Sequence, residues 1–306
     1  MGGTRIKTGL VKDGLLVDVS AVPASSHASL TERLVEITAE INRLLKKHNA
    51  RPSGLGLAFP GIVNSDTKKI LSRYVKYRDA QSVDLVEWAM REWNIPFAIE
   101  NDARAALVGE WQYGAGKNCD NLVLITLGTG VGTAALIEGK LLKGHNYLAG
   151  NLGGHMSVNM HGKECNCGNI GCVESEASSW ALQQYIRSEP GFEASALSSE
   201  KEIGYQNIFK LAEGGDAFAQ RVKHNSLRAW SLGVINLIHA YDPERIVMGG
   251  GIMKSKDVII PHLYDMIRKD LWIKDNAIDL VVAQQVEYAG ILGMSYLTST
   301  PERSTY

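Results

Sequence analysis

An α/β fold in two lobes, the second carrying a structural zinc ion, is what this 306-residue sequence predicts. Three observations predict it. Short apolar runs alternate with longer amphipathic ones through both halves of the chain, the pattern of strands covered by helices. The length exceeds what one hydrophobic core usually serves. Three of the four cysteines fall in Cys165-Asn-Cys167-Gly-Asn-Ile-Gly-Cys172, with His155 ten residues upstream. Zinc takes four borderline ligands in a tetrahedron, and three thiolates with one imidazole form a closed, structural set. Gly168 and Gly171 let the backbone turn tightly enough for the thiolates to converge. His161 is an alternative fourth ligand.

The elements follow in order. Thr31–His48 places Leu34, Ile37, Ile41, Leu44 and Leu45 at helical spacing, and Leu55–Phe59 reads as a buried strand. Asp84–Trp93 is an amphipathic helix with an acidic residue at its start. Pro96–Glu100 reads as a strand and Ala103–Trp111 as the helix behind it. Leu122–Leu127 and Thr133–Ile137 flank a glycine loop, which predicts a hairpin opening the second lobe. Ser178–Arg187, Gln206–Glu213 and Ala217–Tyr241 read as helices, and Arg245–Met248 as a last buried strand before glycines. Trp88, Trp93 and Trp111 lie on amphipathic helices and are expected in the core.

A hydrophobic fraction of 45% and a charged fraction of 21% describe an ordinary globular protein. The formal net charge of -1 argues against nucleic acid as a partner. No apolar run reaches membrane-spanning length. With three thiols assigned to metal only Cys119 remains, so no disulfide framework is expected and a reducing cytoplasm fits.

Three loops share one chemical character: Gly2-Gly3-Thr4, Gly128-Thr129-Gly130-Val131-Gly132 and Gly249-Gly250-Gly251. Glycines let backbone N–H groups approach a polyphosphate and form an anion nest, and the threonine hydroxyls add donors. No Gly-x4-Gly-Lys-Ser/Thr sequence is present, so the loops are not of the Walker type. Glu100-Asn101-Asp102-Ala103 falls at a strand–helix junction. There a carboxylate can take a proton from a substrate hydroxyl, or Asn and Asp can simply cap the helix. Arg104 beside it reads as an exposed helix residue or, failing that, a phosphate contact.

Together these residues resemble the ROK family of sugar kinases and repressors, over essentially the whole chain. Gly2–Lys7 looks like its first phosphate motif, Glu100–Ala103 like its catalytic-base motif, Leu127–Gly132 like its second phosphate loop and Cys165–Glu174 like its zinc motif. The resemblance implies a two-lobed actin-like ATPase (ribonuclease H-like) fold. It gives an N-terminal lobe of residues 1–118 joined by the closing helix 289–300, and a second lobe of 119–288 with the zinc motif and nucleotide site. It implies an ATP-dependent kinase of a hexose or amino-hexose, with Asp102 as general base and Mg²⁺ accompanying ATP. Gly61, Asn101, Asp102, His155 and Glu174 would bind the sugar. Gly3, Thr4, Lys7, Gly128, Thr129, Gly130, Gly132, Gly250 and Gly251 would bind ATP and its phosphates. Zinc would be held by His155, Cys165, Cys167 and Cys172, with the second ring nitrogen of His155 facing the sugar. A cytoplasmic homodimer is expected. The alternative is a catalytically silent sugar-binding or sugar-sensing member. Repressors of the family carry an N-terminal DNA-binding segment, whereas this chain opens at the phosphate loop.

Two departures from the family pattern stand out. The strand and aspartate expected before Gly2 are absent, as a mis-called start codon would leave them; if this exact chain is all there is, low activity and a weakened first lobe are expected. Where many family kinases have Glu-x-Gly-His, this chain has Asn151-Leu152-Gly153-Gly154-His155, so glucose specificity is not implied. Ser72–Asp79 reads either as a basic, aromatic lid or as a solvated loop.

Overall fold

The computed structural model describes residues 5–24, 29–72, 77–272 and 278–300. Gly3 and Thr4 of the first glycine loop, and residues 73–76 of the proposed lid, lie outside the described residues. The chain divides into two compact units: residues up to 118 with 143–149 and those from 284, and residues 119–142 with 150–283. The segments 143–149 and 284–288, expected in the second lobe, therefore pack with the first unit.

In the first unit, β1 (Arg5–Lys12) and β2 (Leu15–Pro23) form an antiparallel ladder. It turns at Asp13-Gly14, both with positive φ, as a tight hairpin between right-twisted strands requires. Helix α1 (Leu30–Lys47) opens with a reciprocal capping box between Ser29 and Glu32 and buries Leu30, Leu34, Ile37 and Leu44. After β3 (Leu55–Phe59) come the short antiparallel strands β4 (Val63–Asn64) and β5 (Lys69–Ile70), then α2 (Leu85–Trp93). Asp84 caps α2, and Asn94 ends it in the left-handed conformation. Strand β6 (Phe97–Asn101) runs parallel to β3, with Phe59 opposite Asn101, and passes directly into α3 (Asp102–Tyr113). Phe59, Leu85, Trp88, Phe97 and Ile99 centre the core. Of the expected core tryptophans, Trp88 is buried in it and meets Trp93 at its edge at 5.3 Å, whereas Trp111 is half-buried against Tyr296 at 6.2 Å, outside that cluster.

The second unit is built on β7 (Leu122–Leu127), β8 (Val131–Ile137) and β9 (Lys140–Leu141), an antiparallel meander. Helices α4 (Val173–Ala177), α5 (Ser179–Tyr185), α6 (Tyr205–Glu213) and α7 (Ala217–Tyr241) follow, then β10 (Arg245–Gly249), α8 (Lys256–Asp270) and β11 (Asp279–Val282). The sheet order is β11-β10-β7-β8-β9, with β10 parallel to both neighbours. Val123, Ile125, Ile246 and Met248 are fully buried, and Trp230 of α7 is sealed in with its indole N–H on Ala177 O at 3.0 Å. No described helix is long and apolar enough to cross a membrane.

The last helix, α9 (Ala289–Ser299), belongs to the first unit and lies backbone-to-backbone on α3. A Cβ on Gly109 would sit 2.0 Å from Ala289 O, and one on Gly293 1.8 Å from Ala105 O, so only glycine fits at either position. Among the described residues β1–β2 and β3–β6 remain separate ladders. A cavity of about 1590 Å³ lies along β1 and β3, with Ile37, Ile41, Ile291 and Met294 among its walls.

Candidate active site and metal centre

The zinc motif is assembled in the second unit. A short turn, Gly153–His155, delivers the imidazole, and the loop from Cys165 to Cys172 returns to it. The ligand atoms of His155, Cys165, Cys167 and Cys172 all lie within 4.8 Å of one another. His155 Nδ1 is 3.5 Å from Cys165 Sγ, and Cys167 Sγ is 3.7 Å from Cys172 Sγ. A tetrahedron with Zn–S of about 2.3 Å and Zn–N of about 2.0 Å has edges of about 3.5–3.8 Å. The donor set therefore fits zinc in spacing and chemistry. Burial pushes the Cys165 and Cys172 thiols up, so metal-free they are held neutral; zinc binding takes their protons. Gly168 and Gly171 have φ of +89° and +66°, the left-handed turns that let the thiols converge. His161 is exposed and stands outside this cluster.

Two glycine loops meet at the same edge of the second unit's sheet, because β7 and β10 are parallel neighbours. Gly128 follows β7 and Gly250-Gly251 follow β10; a Cβ on Gly128 would find Gly251 N at 4.0 Å as its nearest neighbour. Gly250, at φ +91°, passes so close to Leu127 O that a Cβ would lie 2.2 Å from it, while Gly251 faces open space. Open parallel sheets present their ligand sites at this carboxyl edge. Thr129 is exposed at the tip. Glu174, expected at the sugar, accepts the Val131 N–H at 2.8 Å and the Trp180 indole N–H at 3.1 Å.

In the first unit, Asn101 is the N-cap of α3. Its Oδ1 accepts Ala103 N–H and Arg104 N–H, and its Nδ2 donates to Gly61 O at 2.9 Å. It is buried and its polar atoms are committed to backbone, so capping is its work here. Gly61 sits at φ +133°, which a side chain would strain. Asp102 beside it is exposed. Its Oδ1 accepts Ala103 N–H at 2.9 Å and faces Asn101 Nδ2 at 3.3 Å, while Oδ2 has no hydrogen-bond partner among the described residues. Desolvation by the surrounding protein raises its carboxyl above the ordinary aspartate range. Such a carboxylate is a stronger base than a free one. Lys7 has its Nζ on Glu287 O at 3.0 Å and over the Tyr288 ring.

Arg104 corrects the sequence reading. It is fully buried rather than exposed, and its Nη2 donates to the carbonyls of Lys143, Tyr147 and Ala149 at 3.3, 3.1 and 2.7 Å. Nη1 approaches Glu100 Oε1 at 3.4 Å. Arg104 thus fastens residues 143–149 to the helix that carries Asp102, and this is why the segment joins the first unit. Asp66 holds the same segment from outside through Lys143 Nζ at 3.1 Å and Tyr147 OH at 2.6 Å. Helical periodicity could not reveal this, since the carbonyls come from about forty residues away.

Residues 1–300 match the ROK family. The chain belongs to the ROK family. Among its relatives, a glucokinase of Halalkalibacterium halodurans is 31% identical, aligned over 99% of this chain and 94% of that protein. A xylose repressor of Bacillus subtilis is 27% identical over 92% of this chain and 73% of the repressor. In structure, a ROK glucokinase from Streptomyces griseus, solved with glucose and AMPPNP, superposes with a TM-score of 0.77 at 26% identity, covering 97% of each chain. A ROK transcriptional regulator superposes at 0.81 with 25% identity, over 97% of this chain and 76% of the regulator. This ROK protein therefore shares its α/β fold with sugar kinases and with repressors.

Proposed function

We propose that this ROK protein is an ATP-dependent sugar kinase, with Asp102 as the general base. The observation that supports this most is the exposed Asp102 carboxylate at the β6–α3 junction, whose Oδ1 is held by the start of α3 while Oδ2 is available to a substrate. A sugar hydroxyl would donate to Oδ2 and lose its proton there as its oxygen attacks the γ-phosphorus of ATP. Positioning and electrostatics provide most of the catalysis in such transfers. The paired glycine loops at β7 and β10 are suited to the phosphates and the adenosine, and Mg²⁺ would arrive on the phosphate oxygens and neutralise their charge. His155 and Gly61 complete the proposed sugar contacts. Asn101 serves there by fixing Gly61 and Asp102 rather than by reading hydroxyls. The resemblance to family kinases supports a homodimer, which sedimentation of the purified protein tests, and a cytoplasmic setting, which cell fractionation tests.

The repressor relatives support a second reading, a sugar-binding member that does not turn over ATP. ADP release with Mg-ATP, measured across hexoses, N-acetylhexosamines and ketoses, separates the two. Sugar-dependent ADP release is expected. Sugar binding by calorimetry with no ADP release from any sugar would establish the second reading instead.

A further inference from the structure

We propose that Glu174 ties the zinc motif to the glycine loop after β7, so that zinc loading sets that loop's affinity for nucleotide. The inference rests on the assignment of Gly128–Gly132 to nucleotide.

Two of the zinc ligands, Cys172 and His155, sit at elements that both grip the same few residues of the loop, and Cys165 and Cys167 lie on the segment leading into the first of them. The first is α4, which starts immediately after Cys172. Glu174, in its first turn, accepts the Val131 N–H at 2.8 Å through Oε2 and the Trp180 indole N–H at 3.1 Å through Oε1. The carboxylate lies directly over Gly130, where a Cβ would stand 2.5 Å from Oε2. A side chain at 130 would push the Glu174 carboxylate off this position. Ser179 and Trp180, opening α5, add N–H donors to Gly128 O and Thr129 O at 2.9 and 3.0 Å.

The second element is the turn that ends in His155. Gly153 N–H donates to Thr133 Oγ1 at 2.8 Å, and that hydroxyl donates to Gly150 O at 2.8 Å. A Cβ on Gly154 would lie 2.0 Å from Val131 O, so this turn rests on the loop's backbone. Val131 is therefore held on its N–H side by the Cys172 helix and on its carbonyl side by the His155 turn. The ligand cluster joins those two elements, and one ion held by His155, Cys165, Cys167 and Cys172 would fix their spacing.

A carboxylate repels polyphosphate, so the use of Glu174 at this loop is to fix backbone. A loop already held in its bound shape loses less entropy when a ligand arrives, and affinity rises accordingly. Without zinc the two grips on Val131 move independently, and the loop must be ordered by the nucleotide itself.

The test is ADP binding with Mg²⁺ and no sugar, by calorimetry, alongside hydrogen exchange of residues 128–133 and zinc content per chain. Glu174→Ala is expected to weaken ADP binding about ten-fold, the scale of one lost charge-assisted hydrogen bond. Its zinc content should be unchanged and its Val131 amide faster to exchange. Glu174→Gln, which keeps an acceptor oxygen, should fall between, and Trp180→Phe should stay within about two-fold of the parent. Chelating zinc from the unmutated protein should weaken ADP binding and speed the same amide. If Glu174→Ala binds ADP normally with an unchanged exchange profile and loses only sugar affinity, the coupling is wrong and the nucleotide site stands. If the zinc-loaded parent binds no ADP, the nucleotide assignment falls and the inference with it.

Discussion

Removing the Arg104 side chain tests the arrangement around Asp102 most directly. Arg104→Met keeps the length of the side chain and deletes the guanidinium. Three carbonyls of the 143–149 segment then lose their donor, and Glu100, only 2% exposed, loses the cation 3.4 Å away. Breaking a buried pair by removing one partner costs about 3–5 kcal/mol, because a desolvated charge is left uncompensated. We take about 4 kcal/mol, since Glu100 keeps one backbone donor, the Asn101 N–H at 2.8 Å. For a unit of this size each kcal/mol lowers the melting temperature by about 2–4 °C, so a fall of about 8–16 °C is expected. Arg104→Lys keeps the charge but cannot span the carbonyls, and should lie between. Adding Glu100→Gln to Arg104→Met removes the orphaned charge and should recover part of the loss, the coupling a double-mutant cycle reads. The assay is thermal denaturation with hydrogen exchange at 143–149, and sugar KM as the functional readout. A melting temperature within about 2 °C of the parent, with unchanged exchange in that segment, would refute the clamp.

Asp102→Asn should lower kcat by about 10²–10⁴-fold while sugar affinity changes little, because a neutral amide cannot take the proton. The folded-state pKa of Asp102 is raised, so its ionised form costs stability at every pH above that value and costs nothing below the unfolded value. Asp102→Asn should therefore melt at or above the parent temperature at neutral pH. For the same reason the acid limb of kcat/KM should fall at a pH above the ordinary aspartate value. One zinc per chain should be found by atomic absorption, and Cys167→Ser, at the exposed ligand, should lower zinc affinity without removing a core side chain. The cavity along β1 and β3 leaves the first unit's sheet interrupted, so amides of Arg5–Lys12 should exchange ahead of those of Leu122–Leu127.

Much of the second unit was legible in the sequence. Leu122–Leu127 and Thr133–Ile137 carry the dense apolar runs of buried strands, and the Cys3His array has the spacing that a tetrahedral ion imposes. The amphipathic helices α1 and α2 were legible too, although the Ser29 capping box that opens α1 emerged only from the structure. The half-buried ladder β1–β2 was harder to read: nearly every residue is intermediate or exposed, so no alternation marks it. Helix α8 escaped the periodicity because it buries only Ile259, Leu263 and Ile267 and carries Pro261 inside it. Strand β11 is four residues long with a mixed pattern.

By itself the sequence determined composition, local periodicity and chemical motif, since each depends on residues near one another in the chain: the α/β alternation, the zinc ligands, the glycine loops and the Glu-Asn-Asp junction. Only the tertiary structure decided which polar atoms were already committed. Asn101 is spent on the N-cap and Gly61, Glu174 on Val131 and Trp180, Lys7 on Glu287, and Arg104 on the carbonyls of a distant segment. Hydrogen bonds between residues tens of positions apart leave no periodic trace, because a buried donor is satisfied by any carbonyl that the fold brings within reach.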